Sequence, residues 1–216
     1  MYRFPSVIRG VDGQVALSWE QGSKAFHDTL ELDAGAAVHT IRGARGAFTP
    51  EECRRIVALG DARQQLGALV DEGEERAKYR SGEVAWLEPD EGAHWLYHKL
   101  ALLFSEVNQH YDFELLGMLH APQYATYRPG HHFDWHIDIG AGAASLRKLS
   151  LSVQLTDGAE YGGGDLQFPF PGLSVEGQRE VGTAIIFPSY IAHRVSPVTS
   201  GVRRSLVAWA CGPTFR

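Results

Sequence analysis

The sequence predicts a mainly β protein, an antiparallel sandwich or jelly roll, with α-helices covering one outer face. Three observations predict it. After Phe113 the chain breaks into short stretches such as FELLGML, QYATYR, FDWHIDI, LSLSVQL, DLQF, TAIIF and RSLVAWA, rich in β-branched and aromatic residues. Clusters of Gly, Pro and Asp separate them, and no helical pattern intervenes, which excludes alternating βαβ units. Two amphipathic helical patterns lie upstream, and each needs a surface on which to bury its apolar stripe.

The first helix starts at Thr49-Pro50-Glu51-Glu52, where a hydroxyl caps the N-terminus, Pro takes the first helical position and Glu52 completes a capping box. Cys53, Ile56 and Val57 follow, and the helix ends near Gly60. The second runs from about Gly92 to His110, with Leu96, Leu100, Leu103, Phe104 and Val107 in one stripe that belongs against a sheet. Residues 1–47 read as short strands and turns, and the charged stretch 71–83 as a solvated loop that can serve as a lid. Trp86 and its neighbours are candidates for a substrate wall. The organisation expected is one domain over 1–216, with N-terminal strands and helices over 1–112 and the jelly-roll core over 113–216.

At 216 residues, with 44% hydrophobic and 21% charged residues, the chain can bury a full core. A formal charge of -6 offers no electrostatic reason to expect nucleic acid or an anionic membrane as partner. Neither a leader-like apolar region nor a membrane-length run is visible, so a cytoplasmic protein is expected. Cys53 and Cys211 are the only cysteines and are read as reduced thiols.

Ten histidines make the choice of ligands a question of spacing. In His136-Ile137-Asp138 the two donors stand two apart, so on a strand they project to one face and can reach one ion. His193, just after TAIIF, supplies a third donor from another strand. Two imidazoles and one carboxylate leave open positions for a chelating co-substrate and dioxygen on a non-haem iron. Ten residues later, Arg203 opens RRSLVAWA and shares a face with Ser205, Val207 and Trp209. A guanidinium on such a face needs an anion, and it matches a carboxylate with two prongs. Alternation and the ten-residue spacing favour Arg203 over Arg204 for that role. His131 and His132 read as polar loop residues, Phe133 and Trp135 mainly as packing, with Trp135 near the mouth, and Tyr124 as pocket or core. Gly162–Gly164 read as a tight turn, since no helix start or lysine follows to make a phosphate loop.

The run Tyr127-Arg-Pro-Gly130-His-His-Phe133-Asp-Trp-His136-Ile-Asp138 resembles the Y-x-x-G-x-x-[FY]-x-x-H-x-D segment of prolyl 4-hydroxylase-like 2-oxoglutarate/iron(II) dioxygenases. Tyr161-Gly-Gly-Gly164-Asp165-Leu166 resembles their Y-x-G-G-x-L turn, and the segment from Gly182 through His193 to Arg203 their distal histidine and arginine region. The resemblance spans roughly residues 120–212 and implies a double-stranded β-helix. It implies Fe(II) on His136, Asp138 and His193, with Arg203 on the distal carboxylate of 2-oxoglutarate and Tyr127 lining the co-substrate pocket. Asp138, present where halogenases lack a carboxylate, makes hydroxylation the expected outcome. The reaction so implied is hydroxylation of an unactivated C–H bond in a protein or peptide residue, prolyl-type, with 2-oxoglutarate and O2 going to succinate and CO2. A free amino acid or small natural product is the alternative substrate, and L-ascorbate belongs to the implied cofactors. A zinc hydrolase using the same ligands, or a non-catalytic jelly-roll binding protein, stays open as a function of another class.

Overall fold

A computed structural model describes residues 2–3, 29–32, 41–63, 66–67, 79–170 and 178–215. Most of the segment 1–47 and residues 71–78 of the expected charged loop lie outside the described residues. Fifteen strands are described: β1 (Tyr2–Arg3), β2 (Thr29–Leu32), β3 (Ile41–Ala44), β4 (Leu66–Gly67), β5 (Glu83–Trp86), β6 (Gly117–Met118), β7 (Gln123–Tyr127), β8 (Phe133–His136), β9 (Arg147–Gln154), β10 (Tyr161–Gly163), β11 (Leu166–Gln167), β12 (Ala184–Pro188), β13 (His193–Val195), β14 (Val198–Gly201) and β15 (Arg203–Cys211). Two α-helices are described, α1 (Pro50–Asp61) and α2 (His94–Tyr111).

The main sheet runs β2-β3-β12-β9-β15-β7-β5-β4, and every pairing is antiparallel. Opposite it stand the small sheets β11-β13-β8 and β10-β14. This antiparallel arrangement with helices on one face is that of the double-stranded β-helix expected. Strands β3 and β5, from the N-terminal half, extend the main sheet at its two sides.

Alternation along β9 explains how one sheet serves two interiors. Leu149, Leu151 and Val153 point outward to the helices, joined by Ala184 and Ile186 of β12 and by Leu206, Ala208 and Ala210 of β15. The α2 stripe of Leu96, Leu100, Leu103, Phe104 and Val107 packs on that layer, as expected. The capping box of α1 forms as read, with the Glu52 N–H donating to Thr49 Oγ1 (3.2 Å) and the Thr49 N–H to Glu52 Oε2 (2.7 Å). Tyr124 belongs to this outer core, its hydroxyl donating to Asp61 (2.7 Å), so it is not a pocket residue. The opposite face of the sheet looks into the barrel, lined by Ile185, Phe187, Ala125 and Tyr127 with Val195 and Ile191 from across.

Two expected strands are shorter than their composition suggests. FELLGML pairs only over Gly117–Met118, because Asp112 adopts a left-handed C-cap (φ 52°) and the next residues turn about Asn108. FDWHIDI pairs only through His136, after which the Asp138 N–H donates to the Ser189 carbonyl outside any ladder.

Candidate metal centre

The smaller three-stranded sheet brings the ligand candidates together. In the β8–β13 ladder His136 stands directly opposite His193, and their ring centroids are 4.2 Å apart. Asp138 completes the cluster, with its Oδ1 3.8 Å from His136 Nε2 and its Oδ2 3.6 Å from His193 Nε2. All three donor atoms lie within 4.8 Å of one another, a spacing that one divalent cation can bridge. Each imidazole is oriented by its other nitrogen. His136 Nδ1 lies 2.7 Å from the Asp134 carbonyl, and His193 Nδ1 lies 3.0 Å from the Ile191 carbonyl. A carbonyl only accepts, so each Nδ1 carries the proton and each Nε2 keeps its lone pair for a metal.

The electrostatics fit the same ion. Burial pushes His136 down to about 4, helped by the facing His193 and opposed by Asp138, so this imidazole is neutral at ordinary pH. Burial alone would raise Asp138. His193, the Ser150 hydroxyl and His136 outweigh it and hold the carboxyl below its usual range. Ser150 Oγ donates to Asp138 Oδ2 (2.6 Å) and lies 2.9 Å from Ser189 Oγ. The Trp209 indole N–H faces the same carboxylate and favours its charge, without meeting hydrogen-bond geometry. A neutral imidazole beside a held carboxylate is the donor set that a hard-to-borderline dication such as Fe(II) accepts.

Arg203 opens β15 on the barrel side, 3% exposed, opposite Tyr127. Its guanidinium carbon lies 5.5 Å from the Tyr127 ring centroid, and Nη1 is 3.3 Å from Ser205 Oγ. The neighbouring cavity is narrow, about 10 Å³, and is bounded by Gln154, Arg179, Thr183 and Arg203 among others. Tyr127 packs beside the guanidinium. Arg204, on the other face, donates its backbone N–H to Thr156 Oγ1. Gly164, in the turn read as tight, has φ 66°, and a Cβ there would come within 3.0 Å of Arg203 Cδ. Arg179 ties that turn down by donating to the carbonyls of Gly158, Tyr161 and Gly163 and to Asp165.

Residues 122–211 match the profile of the 2OG-Fe(II) oxygenase superfamily. The oxygenase segment is 33% identical over 98 residues to a PKHD-type hydroxylase of Synechococcus sp. (strain CC9902), covering 45% of this chain and 44% of that protein. The chain thus spans less than half the length of the curated relatives it matches. By structure it is similar to a prolyl-4-hydroxylase of Pseudomonas putida, with a TM-score of 0.62 at 22% identity over 82% of this chain and 95% of that one. It is also similar to a prolyl hydroxylase of Trichoplax adhaerens solved with a hypoxia-inducible-factor peptide fragment, with a TM-score of 0.61 at 17% identity over 79% and 83%. At such identities the likeness concerns the fold. The 2-oxoglutarate/iron(II) oxygenase resemblance carried by the sequence motifs agrees with the profile and with the hydroxylase relative.

Several residues around this cluster escaped sequence reading. Ser150 was legible in principle, since Lys148, Ser150, Ser152 and Gln154 alternate with Leu149, Leu151, Val153 and Leu155 and mark a polar inner face. Ser189 and Arg179 carried no such signal, because both act from loops. Trp135, expected mainly as packing, is 38% exposed, since β8 stands at the edge of its three-stranded sheet. His131 and His132 lie in the approach loop, where the Arg128 N–H donates to His131 Nδ1 and His132 Nδ1 lies 3.2 Å from Ser81 Oγ. The Trp86 ring centroid lies 6.3 Å from that of Trp209.

Proposed function

We propose that this protein is an Fe(II)- and 2-oxoglutarate-dependent dioxygenase that hydroxylates an unactivated C–H bond, with His136, Asp138 and His193 as iron ligands. One observation carries the reading: two imidazoles with free Nε2 atoms and a held carboxylate face one point, on the barrel face that also bears buried Arg203. Iron, when bound there, supplies the oxidising chemistry that couples decarboxylation of 2-oxoglutarate to succinate and CO2 with hydroxylation by O2. The chain's own residues bind and orient. Asp134 and Ile191 fix the imidazole tautomers, while Ser150 keeps Asp138 ionised and aimed. Arg203 offers its two-pronged donor face to the distal carboxylate, and Tyr127 braces the guanidinium from the neighbouring strand. The apolar ring of Ile185, Phe187, Ile191 and Val195 keeps water from the reacting atoms.

For the substrate, a prolyl-type residue in a protein or peptide is favoured by the names of the similar proteins, one of them solved with a peptide. The same chemistry on a free amino acid is the second reading. L-Ascorbate and the one-domain organisation over 1–216 belong to this proposal on sequence grounds alone. A cytoplasmic location also remains a proposal; it is supported by the free, buried thiols of Cys53 and Cys211, and no described helix is long and apolar enough to cross a membrane. The zinc-hydrolase and binding-protein alternatives lack an explanation for Arg203. Succinate formation from 2-oxoglutarate after anaerobic Fe(II) loading and O2 addition tests the reading. Parent protein turns over with a peptide or amino-acid substrate, and His136→Ala binds no iron. Absence of succinate, with iron binding intact in His136→Ala, sinks the proposal.

A further inference from the structure

The barrel face has two ends along β15. Arg203 marks one, and six residues on, Trp209 marks the other, opposite Ser150 and close to Asp138. Three basic side chains gather at the Trp209 end. The Arg147 guanidinium lies over the Trp209 ring at 3.9 Å, and its Nη1 donates to the Asp138 carbonyl (3.2 Å). The His120 ring meets Trp209 edge-on at 6.0 Å. Arg80 Nη2 donates to Gln123 Oε1 (2.8 Å), with its guanidinium over Phe133, the ring that stacks on His136. Arg80 is near enough to Arg147 and to His136 for its charge to act on both.

Arg147 Nε, Arg80 Nε and His120 Nδ1 are all buried and have no hydrogen-bond partner among the described residues. Such atoms are costly unless an acceptor arrives. Two guanidiniums that repel each other also need a counter-charge. The carboxylate that acts on Arg147 is Asp138, already committed to the imidazoles and Ser150.

We propose that this cluster is the substrate's docking point and that the substrate carries a carboxylate, received by Arg147 and Arg80 with His120 as a further donor. The proposal rests on the oxygenase reading, since it places the oxidised carbon beside the triad and a few ångströms from an anchored anion. A carboxylate suits two guanidiniums better than a neutral amide carbonyl, because it supplies both the missing acceptors and the missing charge. It can come from the α-carboxylate of a free amino acid or from an acidic side chain next to the oxidised residue of a peptide.

The experiment is calorimetric titration of Mn(II)-loaded protein saturated with 2-oxoglutarate, so that the Arg203 pocket is filled and nothing turns over. Two matched pairs serve as probes: N-acetylproline against N-acetylprolinamide, and an N-acetylated, C-amidated Glu-Pro dipeptide against its Gln-Pro counterpart. In at least one pair the acid binds about tenfold or more tighter than the neutral member. The contrast collapses in both Arg147→Gln and Arg80→Gln, whose 2-oxoglutarate affinity stays within about twofold of parent. Discrimination in the first pair assigns a free amino acid, and in the second an acidic peptide. Equal binding of acid and neutral forms in both pairs overturns the proposal, as does discrimination that survives Arg80→Gln, the variant that leaves the contact to Asp138 intact. If Mn(II) or 2-oxoglutarate fails to bind, the oxygenase reading falls, and the same pairs titrated into metal-free protein still decide whether the cluster takes a carboxylate.

Discussion

Replacing Arg203 by Ala separates co-substrate binding from metal binding. The side chain is 3% exposed, with Nη1 3.3 Å from Ser205 Oγ and the guanidinium beside the Tyr127 ring. Its donor face is therefore available for a dicarboxylate. A hydrogen bond to a charged group contributes roughly 1.5–3 kcal/mol, and a two-pronged pair shares one desolvation cost, so the loss comes to about 3 kcal/mol. That corresponds to about 150-fold weaker 2-oxoglutarate binding. Titration of Mn(II)-loaded parent, Arg203→Ala and Arg204→Ala with 2-oxoglutarate measures it. Arg204 lies on the opposite face of β15 and its substitution leaves the affinity within about twofold. Metal affinity changes little in either variant. A fall of less than about fivefold in Arg203→Ala, or an equal fall in Arg204→Ala, refutes the assignment of the clamp.

Ser150→Ala removes the 2.6 Å hydrogen bond that steadies Asp138, so metal affinity falls by about 10–100-fold while the fold persists, as competition with a chromogenic chelator will read. The metal-free protein should also lose stability in mild acid. Burial holds His136 at about 4, below its value in the unfolded chain, so between about pH 6.5 and 4 the unfolded chain takes up a proton that the folded one refuses. Stability is full above about pH 6.5 and falls by at most about 3 kcal/mol toward pH 4; urea midpoints for parent and His136→Gln measure the difference, and the variant's curve is flatter there. The carboxyl of Asp138, held low, adds its own loss only below its usual titration range.

The local elements were legible because local rules produce them. Thr49 and Glu52 cap α1 through contacts three residues apart, and the α2 stripe follows from helical period alone. The polar and apolar alternation of β9 and β15 assigns faces for the same reason, which is why Arg203 and not Arg204 points into the barrel. His136 and Asp138 were legible through a two-residue spacing, and His193 through its distance from Arg203. Strand lengths were less legible. Asp112 and the loop after His136 divert the backbone into contacts with Asn108 and Ser189 that no short window reveals.

The sequence by itself determined which side chains share a face and which donor types are available, because the periods of strand and helix are properties of the backbone. Only the tertiary structure decided what those faces meet. It set His136 against His193 across a ladder and put Ser150 under Asp138 from twelve positions away. It also drew Arg80, His120 and Arg147 to one end of the barrel, from three separate segments. The physical reason is that burial and charge proximity depend on which strands pair, and the pairings here join β5, β7, β9 and β15 across more than a hundred residues.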